Sequence, residues 1–463
     1  MPTAAETVRA APPEPAGRAK LRHFRLWLKD FNRDVAEKDE KFAQFRDWLG
    51  GLDDREVARS FYKHYHPTYL NLFSVFGDGL PEEEIHALAS RCVRAKVWNE
   101  SEYNYHLSRL LASANSRRAA EETWPGDGPF KLAGWDAPLV RSLLRLGRGL
   151  IVCSYRFGAV RFLASELALL GFNVNEVVNA SVHRTMQSAL GSLAPTPAAR
   201  EGRASVENIR LLKAINAEDK ECTVRFVDAL KRGEVVGMCV EGNTGADGPW
   251  GDTSKSVVSF FNHQVSVKNG AARLALVLGT PMLPAVALRT PDGFGRVVFG
   301  DPFVAPRRPG RGEAERFIRD TMQSLYGLLE SHALRVPEQW EGWSALHRWR
   351  AGADVPPSPE RAARGLAADE AVALLRSGKS FRMNRRRVVP LPTGEGPVWI
   401  DVRTLKGYRN PKWAGAENIL QALSESGGVD LDWVERRGAG PDWLAQVASL
   451  LAYLERSELI AAG

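Results

Sequence analysis

A regular alternation of short apolar runs with helix-like segments begins near residue 138 and constrains the fold more than any other feature of the sequence. Arg148–Ser154 (RGLIVCS) predicts a buried strand, and Ala159–Leu170 predicts a helix that ends at Gly171. Phe172–Asn179 predicts the second strand. Strands that alternate with helices at this spacing are typical of a parallel sheet with helices on both faces. The sequence therefore predicts an α/β fold with a mostly parallel central sheet flanked by helices.

The alternation continues to a long helix-like segment that ends near residue 332. It predicts three further helices, at Val224–Arg232, Val267–Leu278 and Glu313–His332. It also predicts a buried strand at Glu234–Val240, a strand at Met282–Leu288 and an outer strand at Val297–Phe299. In such sheets ligands bind beyond the carboxyl ends of the strands. We therefore expect the functional site at Ser154–Arg161 and Glu241–Asp252, which follow two buried strands.

The composition along the chain indicates two folded parts with a tail and a linker. Residues 1–18, rich in Ala and Pro, predict a disordered tail, and 19–350 predict the main domain, with a helical N-terminal part over 19–137. The proline-rich residues 351–361 predict a linker. Residues 362–463 predict a small winged-helix-like α+β domain.

Composition narrows the class of protein without deciding its function. Hydrophobic residues make up 44% and charged residues 25% of the 463 residues, which is ordinary for a soluble globular protein. We find no apolar stretch long enough to span a membrane and no secretory signal, so we expect a cytoplasmic protein without integral membrane association. The four cysteines show no CxxC pairing. Neither a metal site nor any other cofactor is expected.

The net charge of +7 favours acidic partners, although an arginine-rich solvated surface would give the same excess.

Four segments resemble a known family by their order and spacing. The sequence RFGAVRFLASELALLGFNV resembles its strand-to-helix turn, and PEQWEGWSALHRWR resembles its closing segment. Between them lie Arg225–Asn243 and Lys255–Arg289. Over roughly residues 50–350 the chain thus resembles the lauroyl and myristoyl acyltransferases of lipid A biosynthesis, which are lysophospholipid acyltransferase-like.

The resemblance implies an acyl transfer from a carrier-protein thioester to a hydroxyl of a lipid-like acceptor. The family uses a histidine and an acid with four residues between them. The imidazole serves as general base near neutral pH, and the acid orients it and stabilises its protonated form.

This chain departs from that motif at both positions. Alignment on Phe157–Gly158 puts Arg156 where the family has histidine and Arg161 where it has the acid. Arginine stays protonated at physiological pH, so neither residue can act as a base. Two guanidinium groups are suited to hold a carboxylate or phosphate, unless both point into solvent. We also expect no membrane anchor like that of the lipid A enzymes, and therefore an acceptor other than a membrane lipid.

Residues of the second predicted loop supply candidate chemistry. Glu241 is a candidate base or a partner for an arginine, and Asn243 and Thr244 are candidate substrate contacts. The glycine-rich run GADGPWG could bring backbone N–H groups to an anion. The alternative is a surface loop with a structural carboxylate.

Other candidates lie elsewhere in the main domain. Three histidines are possible substitute bases: His183, His263 and His347. His183 and Arg184 are expected in the loop after the second strand, where relatives contact substrate, whereas His347 is expected to be structural. Ser154 and Tyr155 are candidate hydrogen-bond donors or nucleophiles to the substrate.

The C-terminal domain loosely resembles the PqqD-like modules that bind leader peptides. Such modules bind a peptide by adding it as a strand to a sheet edge. The basic residues Arg385, Arg386 and Arg387 also fit a nucleic-acid-binding wing or a solvated loop.

Together these features predict an acyl- or aminoacyl-type transferase of a specialised biosynthetic pathway. It would use a thioester or ester donor, such as acyl carrier protein, and an anionic or peptide-linked acceptor. A peptide bound by the C-terminal domain and tRNA are further possible partners. The alternative is a catalytically inactive acyltransferase-fold protein that presents a peptide or carrier-bound substrate to another enzyme.

Overall fold

The computed structural model describes most of the chain. The described residues are 16–28, 35–115, 132–191, 193, 206–242, 255–291, 295–350, 366–385, 387–391, 398–401, 407–411, 418–425, 427–437, 442–457 and 459–462. The predicted linker and all but the last residues of the predicted tail lie outside them.

The N-terminal part is helical, as the sequence predicts. Its five helices are α1 (Ala16–Leu28), α2 (Val35–Gly51), α3 (Asp54–Ser60), α4 (Tyr62–Phe76) and α5 (Glu82–Asn115). Asp53 caps α3, because its carboxylate accepts the Glu56 N–H at 2.7 Å while the Glu56 side chain accepts the Asp53 N–H. Buried aromatic side chains of α2 and α4 pack with α5.

A seven-stranded sheet forms the centre of the main domain. Its strands are β1 (Leu132–Ala133), β2 (Leu150–Ser154), β3 (Val174–Val178), β4 (Leu212–Asn216), β5 (Val235–Cys239), β8 (Met282–Arg289) and β9 (Gly295–Phe299). The order across the sheet is β1-β9-β8-β2-β5-β3-β4. From β8 to β4 all neighbours are parallel, and only β8 and β9 pair in the antiparallel sense. The mostly parallel sheet predicted from the sequence is thereby confirmed.

Helices cover both faces of this sheet. The helices between and after its strands are α6 (Ala137–Leu144), α7 (Leu163–Leu169), α8 (Ala180–Gly191), α9 (Cys222–Lys231), α10 (Gly270–Leu278) and α11 (Arg311–Arg335). Ile151 and Cys153 of β2 join a core with α9, α10 and α11, which we call the first face. Leu150 and Val152 join a second core with α7 and part of α5, which we call the second face. Successive residues of each strand thus alternate between two buried layers.

An antiparallel hairpin interrupts the parallel architecture. It consists of β6 (Lys255–Phe260) and β7 (His263–Lys268), joined by Phe261 and Asn262. Both turn residues have positive φ, 50° and 59°, as a two-residue hairpin turn of right-handed twist requires. The helix predicted over Val267–Leu278 is therefore too long at its start, because β7 runs to Lys268 and α10 begins at Gly270. The strands β1, β4, β6 and β7 were not predicted from the sequence.

The C-terminal region is a small α+β unit with antiparallel sheets. Its helices are α12 (Ala368–Arg376), α13 (Ile419–Ser424), α14 (Leu431–Arg436) and α15 (Trp443–Arg456). Its strands β10 (Phe381–Met383) and β14 (Ile460–Ala462) form one pair, and β11 (Val388–Leu391), β12 (Val398–Asp401) and β13 (Gly407–Tyr408) form a three-stranded sheet. A separate core includes Phe381, Trp399 and Trp443. No helix among the described residues is long and apolar enough to cross a membrane.

Candidate active site

The chain turns sharply where β2 ends. Gly158 has φ +51°, and a Cβ there would lie 2.5 Å from the Ala287 carbonyl oxygen, so only glycine fits. The Ala159 N–H donates to that same oxygen at 2.9 Å, and the Phe157 N–H donates to the Tyr155 oxygen at 2.7 Å. The turn therefore sits directly against β8 and fixes the direction in which residues 156–161 leave the sheet.

Residues 337–350, which we call the closing segment, bind the ends of three strands. The Gly158 N–H donates to the Gln339 oxygen at 2.8 Å, and the Glu341 N–H donates to the Arg156 oxygen at 2.9 Å. The Gln339 amide side chain accepts the Arg289 N–H at 2.7 Å and donates to the Arg289 oxygen at 2.9 Å. The closing segment thus holds the ends of β2 and β8 together, and Trp340 adds the end of β5.

Glu241 lies directly after β5 with both carboxylate oxygens occupied. Its Oε1 accepts the Trp340 indole N–H at 2.6 Å, and its Oε2 accepts the Arg156 backbone N–H at 2.5 Å. The Arg156 guanidinium donates to the Gly242 carbonyl. Burial raises the pKa of Glu241, and the Arg156 charge and the two donors oppose that rise. Glu241 is 3% exposed, so it is a buried, fully bonded carboxyl between two strand ends.

Arg161 pairs with Glu341 of the closing segment. Its guanidinium donates to Glu341 Oε2 at 2.8 Å, and the other Glu341 oxygen accepts the Asn99 amide at 3.3 Å. The Glu341 side chain is 4% exposed but that of Arg161 is 29% exposed. The pair is therefore open to solvent only on its cationic side.

A third cation lies close to these two arginines. Lys96 of α5 donates to the Ser344 hydroxyl at 3.0 Å. Burial lowers the pKa of Lys96, while Glu341 raises it and both arginines lower it. The three basic groups Lys96, Arg156 and Arg161 are matched by three carboxylates, Glu100, Glu241 and Glu341. Arg161, whose side chain is 29% exposed, stays accessible to an anionic group at this edge of the sheet.

Beneath Arg161, on the second face, lies a group of buried polar atoms that the sequence analysis did not single out. Among the described residues, Arg161 Nε and Glu176 Oε2 have no hydrogen-bond partner, and the nearby hydroxyls of Tyr103 and Ser165 interact with each other. Buried polar groups are normally bonded, so such a concentration needs an explanation. The one signal in the sequence was a charged residue, Glu176, in the middle of the apolar run predicted as the second strand.

The other candidates from the first loop are buried and bonded within the protein. The Ser154 hydroxyl donates to the Met238 oxygen at 3.1 Å and lies 3.7 Å from the Cys239 sulfur. The Tyr155 hydroxyl donates to the Leu325 oxygen at 2.7 Å, and burial raises the pKa of Tyr155 well above its ordinary value. Tyr155 therefore belongs to the core of the first face, whereas Ser154 faces the second.

The expectation that His183 and Arg184 occupy a loop is wrong. Both lie in α8, which begins at Ala180 directly after β3, because Asn179 caps it by accepting the Val182 N–H at 2.8 Å. His263 is the first residue of β7 and pairs with Phe260. It is Phe260, at 5.4 Å between ring centroids, that contacts Trp340.

The remaining predicted residues are structural or lie outside the described part. His347 Nδ1 and the Asn71 side-chain amide lie 3.1 Å apart, and burial lowers the pKa of His347 to about 4, so it is uncharged at neutral pH. Asn243, Thr244 and the glycine-rich run lie outside the described residues, as does Arg386. Within the described ranges, no three His, Cys, Asp or Glu side chains are grouped as a metal site would require.

Comparison with known proteins bears on part of this arrangement. Residues 200–350 match the family of bacterial lipid A biosynthesis acyltransferases, a stretch shorter than half the chain. It includes Glu241 and the closing segment but neither Arg156 nor Arg161. No curated protein matches the chain at a significant level. The family match supports an acyltransferase-type function, and the replacement of the family's dyad by two arginines stays a prediction.

Proposed function

We propose that the chain is a transferase that moves an acyl or aminoacyl group from a thioester or ester donor to an anionic or peptide-linked acceptor. The reaction takes place at the carboxyl edge of the sheet, where β2 and β5 end beside the closing segment. The observation that carries the proposal is the partly exposed Arg161 in a cluster of basic groups at this edge, within a chain whose residues 200–350 match an acyltransferase family.

The two arginines bind rather than react. Arg161 is the better candidate to contact a ligand, because its side chain is 29% exposed while its partner Glu341 is almost fully buried. Arg156 bonds the Gly242 carbonyl and so supports the segment after β5. A carboxylate or phosphate of the acceptor would gain a charge-assisted hydrogen bond from Arg161, typically stronger than a neutral one. Glu241 and His263 stay candidates for the proton acceptor.

Turnover by the purified protein tests the proposal. A panel of labelled donors comprises acyl carrier protein thioesters, acyl-coenzyme A and aminoacyl-tRNA, each offered with acidic, peptide and neutral hydroxyl acceptors. We expect transfer from one donor class and a preference for an anionic acceptor over its neutral ester. The absence of product with every combination of donor and acceptor would contradict the proposal. A Glu241→Gln protein that keeps full activity removes Glu241 from the mechanism.

A matched pair of variants tests the role of Arg161. Arg161→Gln should lower kcat/KM for the anionic acceptor about tenfold or more, because a charge-assisted bond contributes about 1.5–3 kcal/mol. The neutral ester should lose much less. Arg311→Gln is the control, since Arg311 is 94% exposed at the start of α11. Equal losses for both acceptors would show that Arg161 does not bind the anionic group of the acceptor.

The second candidate function is a binding protein that presents a carrier or peptide to another enzyme. It is favoured by the arginine pair, which cannot take a proton, and by the appended C-terminal unit. Calorimetry with acyl carrier protein and candidate peptides separates the two. Tight binding without turnover supports presentation, and turnover by the protein alone rejects it.

A further inference from the structure

The second face of the sheet contains a polar pocket beside the end of β2. Glu176 of β3 pairs laterally with Gly237 of β5, and Gly237 pairs with Val152 of β2. Lateral neighbours in a parallel sheet project to the same face, so the Glu176 side chain shares a face with Val152. A Cβ added to Gly237 would meet no atom within 4 Å, although Gly237 is buried. Open space therefore lies between Glu176 and Val152.

Polar groups with few hydrogen bonds surround that space. Tyr103 of α5 is 8% exposed and Ser165 of α7 is fully buried, and their two hydroxyls interact with each other. Arg161 Nε and Glu176 Oε2 have no hydrogen-bond partner among the described residues. Leaving a buried polar atom unbonded costs about 1–3 kcal/mol. An unbonded guanidinium N–H and an unbonded carboxylate oxygen around one space are typical of a site that an external group completes.

The pocket is open to solvent at its Arg161 side. The Arg161 side chain is 29% exposed, and Glu176 and Cys239 are both partly exposed. Cys239 lies two residues after Gly237 in β5, on the same face of the sheet, and pairs with Ser154 of β2. This partly exposed side is the route by which a substrate group held at the charged edge of the sheet would approach Glu176.

We propose that Glu176 is the proton acceptor of the transfer reaction and that Arg161 Nε–H and the Tyr103 hydroxyl hold the carbonyl oxygen of the donor. This inference rests on the proposed function. Glu241 is less suited to the task, because both its oxygens already accept hydrogen bonds.

The step balances with the groups present. The acceptor hydroxyl or amine attacks the carbonyl carbon of the thioester while Glu176 takes its proton. The negative charge that develops on the carbonyl oxygen accepts hydrogen bonds from Arg161 Nε–H and the Tyr103 hydroxyl. The C–S bond then breaks, and the leaving thiolate takes the proton back from Glu176. The products are the acylated acceptor and a free thiol, and Glu176 is again a carboxylate.

The electrostatics of the pocket agree with this role. Burial raises the pKa of Glu176 to about 7, and the Arg161 charge limits the rise. A general base works best when its pKa lies near the working pH. The other titratable groups that interact with Glu176 stay neutral there: burial raises the pKa of Cys239 to about 12 and also raises that of Tyr103. Cys239 thus remains a thiol rather than a competing nucleophile.

Two substitutions test the inference once a turnover assay exists. Glu176→Gln should lower kcat/KM at least 100-fold, the usual contribution of a general base, while calorimetric affinity for the acceptor changes less than about threefold. Glu166→Gln is the control, because Glu166 is a second buried carboxyl of the second face that the mechanism does not use. In the wild type, kcat/KM should rise with pH and level off above about pH 7. The residual activity of Glu176→Gln should lack this rise.

The second substitution fills the space and leaves every polar group in place. Gly237→Ala adds a methyl group where no atom lies within 4 Å, so the protein should fold with an unchanged Tm. We expect kcat/KM to fall at least tenfold, because the methyl group occupies the place of the reacting carbonyl. Gly270→Ala in α10, also without a neighbour within 4 Å, is the control.

The outcomes separate this inference from the proposed function. Absence of turnover in the wild type with every donor overturns the proposed function. Turnover in the wild type, with folded Glu176→Gln and Gly237→Ala proteins both within about threefold of it, overturns only the role of Glu176. A loss in Gly237→Ala with the pH profile retained supports the pocket even if Glu176→Gln fails to fold.

Discussion

Glu166 provides a sensitive test of the electrostatics of the second face. It lies in α7, its Oε1 is buried without a partner among the described atoms, and burial alone raises its pKa to about 8. An unfolded chain gives a glutamate its ordinary pKa, 4.5. The folded protein therefore keeps the proton over a pH range in which the unfolded chain has lost it. The neutral Glu166 stabilises the fold fully below pH 4.5, and this stability is lost as the pH rises through about 8.

The substitution Glu166→Gln removes this titration and keeps the shape of the side chain. Each pH unit between the two pKa values changes the free energy of unfolding by about 1.4 kcal/mol. Between pH 5 and pH 8 the wild type should thus lose about 3 kcal/mol that the variant keeps. Burying the glutamine amide changes the unfolding free energy of the variant by the same amount at every pH, so it does not affect this difference between pH 5 and pH 8.

Chemical denaturation at several pH values measures the effect. Glu313→Gln, which removes an exposed carboxylate at the start of α11, controls for the loss of one negative charge. The difference in unfolding free energy between Glu166→Gln and the wild type should grow with pH, while that of the control stays flat. A difference that is constant from pH 5 to pH 8 would refute the burial of an uncompensated carboxyl at this position.

Two further predictions concern the closing segment. Trp340→Phe should lower the free energy of unfolding by about 1–3 kcal/mol more than the matched variant Trp349→Phe does. The reason is that Trp340→Phe leaves Glu241 Oε1 buried without a donor. The Trp349 indole N–H, in contrast, has no partner to lose among the described residues. Thermal unfolding of both variants measures this, and equal Tm values would contradict it. Arg161→Met and Glu341→Met should each destabilise the protein by about 3 kcal/mol, since each leaves one partner of the pair uncompensated, and the double variant should be more stable than either. Additive losses in that cycle would disprove the coupling.

The sequence predicted the sheet well where apolar runs were long. The strand predicted over Glu234–Val240 is β5 at Val235–Cys239, and the strand over Met282–Leu288 is β8 at Met282–Arg289. It failed for β6 and β7, because their exposed and buried residues alternate over a short hairpin whose turn, Phe261–Asn262, has no glycine signal. Tertiary contacts, here the packing of Phe261 on Trp343 at 4.9 Å, decide that conformation.

The sequence predicted where the candidate site lies in the sheet better than it predicted which side chains pair within it. The expected convergence of the segments after β2 and β5 is present, since Arg156 and Glu241 are bonded to each other. Spacing along the chain could not predict that Glu341 would pair with Arg161, because the two residues are 180 positions apart in the sequence. Nor could it predict that Tyr103 of α5 would lie near enough to Glu176 to interact with its charge.

The closing segment has a consequence for the order in which the protein matures on the ribosome. A chain emerges from its N-terminus, so β2, β5 and β8 are all made before α11, and the closing segment comes only after α11. Until Gln339, Trp340 and Glu341 arrive, the strand ends that they hold have no partners, although the sheet can already pair. A nascent chain stalled before residue 337 would therefore carry the paired sheet without the contacts that join its strand ends, and the candidate site would form in one step once residues 339–341 are made.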